Sequence, residues 1–178
     1  VDQWRDHLRT ASSIFTQFEG IEDSNVSLWA HRTTRTIVTT EGTQLELPQV
    51  QFRVSLWAQA TATDGMEIQV HRAFDAHTAD KLPTLDELLT ATKDAGARVL
   101  DLTAAPIIEP TVAPAILRGR AAAVFFHEVL GHRVEGHRQK DEDEGQTFTD
   151  MVGQMVLPAF LSVVDDPTLS SLNGQHLN

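Results

Sequence analysis

The sequence predicts an α+β protein: an antiparallel β-meander covered by helices, then a buried helix carrying His-Glu-x-x-x-His and a further β segment. Three observations carry that prediction. Apolar residues recur at steps of three and four over residues 3 to 18 and again after Thr84. Between these stretches, over residues 24 to about 76, they alternate with polar residues. Prolines at 106, 110 and 114 then separate this region from the most apolar helical run of the chain. The reading is therefore an N-terminal α+β domain over 1–104, and over 105–178 a Pro-rich connector, the motif helix and the start of a truncated C-terminal domain.

The first helix places Trp4, Leu8, Ala11, Phe15 and Phe18 on one stripe and closes at Gly20. From Asn25 the period changes to two, running through Thr-rich β-formers to a Glu41-Gly42 turn. Residues 50 to 62 alternate most cleanly. Val50, Phe52, Val54, Leu56, Ala58, Ala60 and Ala62 share one face of a long strand, and Asp64-Gly65 turns the chain into a return strand with Met66, Ile68 and Val70. Thr84 and Glu87 have capping-box spacing, and the helix they open is expected to end at Gly96 and to cover one face of the sheet. Residues 152 to 164 read as a strand interrupted at Pro158.

Composition bounds the function. The 178 residues hold 14 Lys and Arg against 25 Asp and Glu, a net charge of −11 that disfavours phosphate backbones and anionic membranes. No apolar run approaches the ~20 residues of a membrane helix, so a soluble protein is expected. With no cysteine, thiolate chemistry is excluded and any metal must be held by His, Asp or Glu. The chain starts at Val1 without Met and stops in the turn-rich stretch 172–178, which reads as a fragment.

The chemistry concentrates in the apolar run from Leu117 to Val134, which reads as a buried helix. Burying His127, Glu128 and His132 there costs several kcal/mol unless something pairs with them, and a metal ion would do so. The familiar spacing for two histidines on one helix is four, and here it is five. On a regular helix that sets the imidazoles about 140° apart. A π-bulge would bring them onto one face, with Gly131 easing the backbone change. Two other readings stand beside this one. His127 and His132 can be unrelated, one buried and one exposed; or Glu128, His132 and Glu135 can form one stripe of an undistorted helix and serve a two-metal carboxylate site. The acidic run 141 to 144 reads as a solvated loop. His7, His31, His71, His77 and His176 default to the surface, and Trp4, Trp29, Trp57 and Phe52 to packing.

The segment Phe126-His127-Glu128-Val129-Leu130-Gly131-His132-Arg133-Val134-Glu135-Gly136 resembles the signature helix of the TldD/PmbA metallopeptidase family, also called modulators of DNA gyrase. TldD-type members carry this His-Glu-x-x-x-His followed by a Glu-Gly pair. Comparable segments flank it, from the meander through the lead-in Pro106 to Leu117 to Val163-Val164-Asp165-Asp166-Pro167-Thr168, so the resemblance spans most of residues 24 to 174.

The resemblance implies a zinc-dependent peptidase that acts on unfolded or leader peptides. His127 and His132 would be ligands and Glu128 the general base toward a metal-activated water, with Glu135 orienting an imidazole. It implies a further ligand, a cysteine far downstream, which is expected outside this chain; His137 is the weaker candidate for that place. It also implies a cytoplasmic protein working as a homodimer or as a heterodimer with a PmbA-like subunit. An alternative is a non-catalytic partner or assembly subunit of such a complex. Direct action on DNA fits poorly with the net charge. The long strand 50 to 62 further suggests a sheet edge able to capture an extended peptide.

Overall fold

A computed structural model describes residues 2–141, 143–166, 168–172 and 175–176. Helix α1 spans Asp2–Phe15, and its apolar stripe ends in tight turns that lead to Gly20, whose φ of 102° is one that side-chain-bearing residues rarely adopt. Strands β1 (Asp23–Val38), β2 (Gln44–Thr61) and β3 (Glu67–Ala76) follow, paired antiparallel in the order β1-β2-β3. The meander is as expected, with turns at Gly42 and Gly65. Strand β2 is central over 52–59, where β1 and β3 flank it, over 44–51 it pairs with β1 alone, and at 60–61 with β3 alone. The hairpin therefore extends beyond the third strand, and Leu45, Leu47, Val50 and Val38 on it are exposed.

Helix α2 spans Leu85–Thr103. Its capping box forms as the Thr84–Glu87 spacing predicts: the Thr84 backbone N–H donates to Glu87 Oε2 at 2.8 Å, and Glu87 N–H donates to Thr84 Oγ1 at 3.3 Å. That backbone hydrogen bond, with the Thr84 hydroxyl, holds the Glu87 carboxyl below its ordinary range. The expected end at Gly96 is wrong. The helix runs on to Thr103, and Gly96 in its middle lies against the turn after α1, where a Cβ would come within 2.7 Å of the Phe18 ring. The glycine there permits close approach and does not terminate the helix.

Both helices lie on the even-numbered face of the sheet. Val54, Leu56, Ala58 and Ala60 of β2 meet Ala11 and Phe15 of α1 and Leu88, Ala95 and Val99 of α2 in one apolar core. Each fully buried leucine or valine in it contributes roughly 1.5–3 kcal/mol. Trp4 and Phe52 pack against this core, as expected. Trp29 and Trp57 instead stack on His31 and His71 on the opposite face, at ring separations of 5.1 and 6.1 Å. Arg53 holds Asp75 across β2 and β3 on that same face through two hydrogen bonds of 2.6 and 3.0 Å.

The chain divides into two compact units, residues 1–107 with 170–178, and residues 108–169. The proline-spaced stretch after Thr103 carries no helix or strand, in line with the sequence. The second unit holds helix α3 (Arg120–Val129) and short 3-10 turns. Three expectations fail in it. The apolar helix is shorter than Leu117–Val134, and it is not buried: Val124, Phe125, Phe126 and Val129 are exposed. Residues 152 to 164 form turns and irregular chain instead of a strand, because Pro158 offers no N–H and no partner strand lies among the described residues of the unit. The further β segment is a pair of two-residue strands, β4 (Ser171–Leu172) and β5 (Gln175–His176). Glu142, Pro167 and residues 173–174 and 177–178 lie outside the described residues, as do the side chains of 171, 172, 175 and 176. No helix among the described residues is long and apolar enough to cross a membrane.

Filling the space that Gly96 leaves should be costly. Gly96→Ala is expected to destabilise the protein by about 1–3 kcal/mol through overpacking against Phe18, read as a lower urea midpoint. Adding Phe18→Leu should recover part of that loss, and equal midpoints for Gly96→Ala and the parent would refute the close packing.

Candidate metal centre

Helix α3 makes its last α-type bond from Leu130 N–H to the Phe126 carbonyl, at 3.1 Å. Leu130 then departs from helical backbone, with φ −126° and ψ −53°, and the chain tightens into a 3-10 turn over Gly131–Arg133. Arg133 N–H donates to the Leu130 carbonyl at 2.9 Å, an i to i−3 bond. The expected π-bulge is therefore absent, since the helix ends where it was predicted to widen. Gly131 is also not needed for the distortion: its φ is not positive, and an added Cβ would meet only ordinary contacts at 3.8 Å.

The consequence for the side chains is nonetheless convergence. The rings of His127 and His132 lie 4.2 Å apart at 65°, edge to face. One donor atom from each of His127, Glu128 and His132 can be chosen so that all three lie within 4.8 Å of one another. The Glu128 carboxylate reaches both imidazoles, 3.9 Å from His127 Nε2 through Oε1 and 3.9 Å from His132 Nε2 through Oε2. The histidines are thus not unrelated. The alternative stripe of Glu128, His132 and Glu135 on one unbroken helix does not exist either, because α3 stops at Val129.

Behind His132 stands a polar anchor. His132 Nδ1 lies 3.1 Å from Glu135 Oε1, and Arg138 Nε donates to Glu135 Oε2 at 2.7 Å. Arg138 Nη1 donates in turn to Glu144 Oε2 at 2.6 Å, and the Gln146 amide caps the Arg138 carbonyl, also at 2.6 Å. The guanidinium of Arg138, followed by the His132 imidazole, holds the Glu135 carboxyl at about 2, so it is anionic throughout the neutral range. An anionic acceptor at Nδ1 favours the tautomer with its proton there, leaving the Nε2 lone pair for another partner. Glu128, His132, Arg133, Arg138 and Gly145 line an open cleft of about 260 Å³.

The anchor shows what the sequence reading missed. Glu144 belongs to the acidic run read as solvated, yet it pairs with Arg138. The i,i+3 spacing of Glu135 and Arg138 was the available signal for their pairing. His137 falls outside the converging trio and is largely exposed, with Nε2 at 3.8 Å from Glu135 Oε2.

Residues 110–176 match the family model described as the PmbA/TldA metallopeptidase C-terminal domain. This stretch, less than half of the chain, is similar to that domain of the PmbA/TldD family. No curated protein and no solved structure gives a significant match to the chain. The PmbA/TldD segment contains all of α3, the 3-10 turn after it and every residue of the polar anchor, so the cluster and the family assignment fall on the same part of the chain.

The low value at Glu135 depends first on Arg138. In Arg138→Met the carboxyl is expected to titrate upward from about 2 toward the ordinary 4.5, followed by carbon NMR of the labelled side chain. A titration that stayed near the parent value would remove Arg138 as its cause.

Proposed function

We propose that this PmbA/TldD-type segment is the catalytic part of a zinc-dependent metallopeptidase acting on unfolded or leader peptides. The observation that carries the reading is the convergence of His127, Glu128 and His132 within 4.8 Å, inside the segment matched by a metallopeptidase family model. The donor set fits zinc in kind, since neutral imidazoles and carboxylates are ordinary ligands of that ion. His132 in particular has its Nδ1 occupied by Glu135, which leaves Nε2 as the ligating nitrogen.

His127 and His132 would hold the ion, and a further ligand would come from outside this chain. Zinc supplies Lewis acidity, polarising a peptide carbonyl and lowering the pKa of a water to about 7. Glu128 would accept a proton at its carboxylate and return it to the leaving amine, a role supported by its 3.9 Å approach to both Nε2 atoms and by its solvent accessibility. Glu135 keeps the His132 ring from rotating, and Arg138, itself tied to Glu144, keeps Glu135 in place. A rigid ligand pair matters here because an imidazole free to turn loses affinity for the ion.

The rival reading is a non-catalytic partner subunit, favoured by a cluster of two histidines and one carboxylate among the described residues. Elemental analysis of the full-length protein separates the two. The enzyme reading expects close to stoichiometric zinc that is lost in His132→Ala, whereas metal-free protein supports the partner reading. Glu128→Gln should retain the zinc while peptide cleavage falls by about 10²–10⁴-fold; unchanged turnover would remove Glu128 as the base.

A further inference from the structure

We infer that the outer edge of β3 is a docking site for an extended, cationic peptide segment, which adds to the sheet as a further strand and places a lysine or arginine against α2. The site lies wholly within the first unit and does not depend on the metal cluster. The long strand β2 cannot supply an edge over 52–59, where it is paired on both sides. Strand β3 pairs with β2 alone, so along Glu67–Ala76 one side of its backbone has no strand partner among the described residues.

Beside that edge, two depressions follow one another along α2. Phe74 of β3 lines the first, with Ala91 of α2 as further apolar surface and Asp86, Glu87 and Asp94 around it. Arg72 of β3 lines the second, with Asp94, Arg98 and Asp101 of α2. Arg72 and Phe74 are two positions apart on one face of β3, which matches the repeat at which an added strand directs its side chains to a given face. The spacing of the depressions is therefore the spacing of alternate residues in an extended peptide.

Charge selects the occupant. The two depressions carry four acids, Asp86, Glu87, Asp94 and Asp101, against the two cations Arg72 and Arg98. Glu87 is committed to the capping box, but Asp86, Asp94 and Asp101 form no ion pair among the described residues, and neither do Arg72 and Arg98. A long cationic side chain suits the first depression in both of its parts. Its methylenes cover Phe74 and Ala91 while its head reaches Asp86 and Asp94. A carboxylate at that position would meet like charge, so the edge discriminates by sign.

The test measures binding of short Thr/Val peptides to the 178-residue chain by fluorescence anisotropy, with lysine at every second position in the first peptide, glutamate in the second, and lysine plus alternate N-methylated amides in the third. The first is expected to bind, to weaken with added salt, and to slow amide exchange along Glu67–Ala76. Asp86→Asn and Asp94→Asn, both on the surface of α2, should each weaken it about fivefold, with unchanged circular dichroism. Equal binding of the glutamate peptide, or of the N-methylated one, would overturn the proposal in favour of non-specific adhesion. Protection confined to the edge of β1 would overturn it as well. Protection of β3 without peptide, together with dimer formation on sedimentation, would assign the edge to a second copy of the chain instead.

Discussion

The termination of α3 at Val129 decides the geometry of everything around His127 and His132. A regular helix would hold residues five apart at about 140° around its axis, with their rings diverging. At Leu130 the backbone leaves helical angles, with φ −126° and ψ −53°, before the 3-10 turn begins, and across this break the rings lie 4.2 Å apart. Glu128, still on the last turn of α3, then faces both Nε2 atoms from one side. A backbone change confined to a few residues thus turns three polar side chains of an apolar helix into one cluster.

A helix end of this kind is poorly determined by its own residues, and the polar anchor beyond it supplies what they lack. Glu135 binds His132 on one oxygen and Arg138 on the other, and Arg138 reaches back to Glu144 in the following loop. These are charge-assisted hydrogen bonds between partly exposed groups, so solvent screening limits what they add to stability. Their value lies in orientation. The carboxylate at Nδ1 favours the tautomer with its proton there and holds the ring with Nε2 turned away from it. The exposed apolar flank of α3, with Phe125 and Phe126 at the surface, stands in contrast to this ordered polar side.

The first unit follows a different logic, that of a one-sided sheet. Its even-numbered face is closed by α1 and α2 around Leu56, Val54 and Leu88, and its odd-numbered face keeps stacked Trp–His pairs and the Arg53–Asp75 bridge in contact with solvent. A three-stranded sheet of this kind has two outer edges, and the β3 edge adjoins two depressions lined by α2. Gly96 lets α2 pack closely against the Phe18 ring in the turn after α1, where a larger residue would clash.

Much of this was legible in the sequence, because the deciding interactions are local. Period-two alternation over 50 to 62 selected the strand and its buried face, and the Thr84–Glu87 spacing selected a helix start. The spacing and neighbours of His127, Glu128 and His132 marked the cluster and the family. What failed depended on contacts distant in the chain or on competition between backbone hydrogen bonds. Gly96 read as a helix end, since nothing nearby in sequence reveals the Phe18 ring against it. The apolar run around α3 read as buried, since hydrophobicity records a preference for burial and says nothing about which neighbours supply it. The choice between a π-bulge and a 3-10 turn at Leu130 is a matter of small backbone energies, as is the recruitment of Glu144 by Arg138. Such near-balanced alternatives are decided only when the loop beyond the helix takes its place in three dimensions.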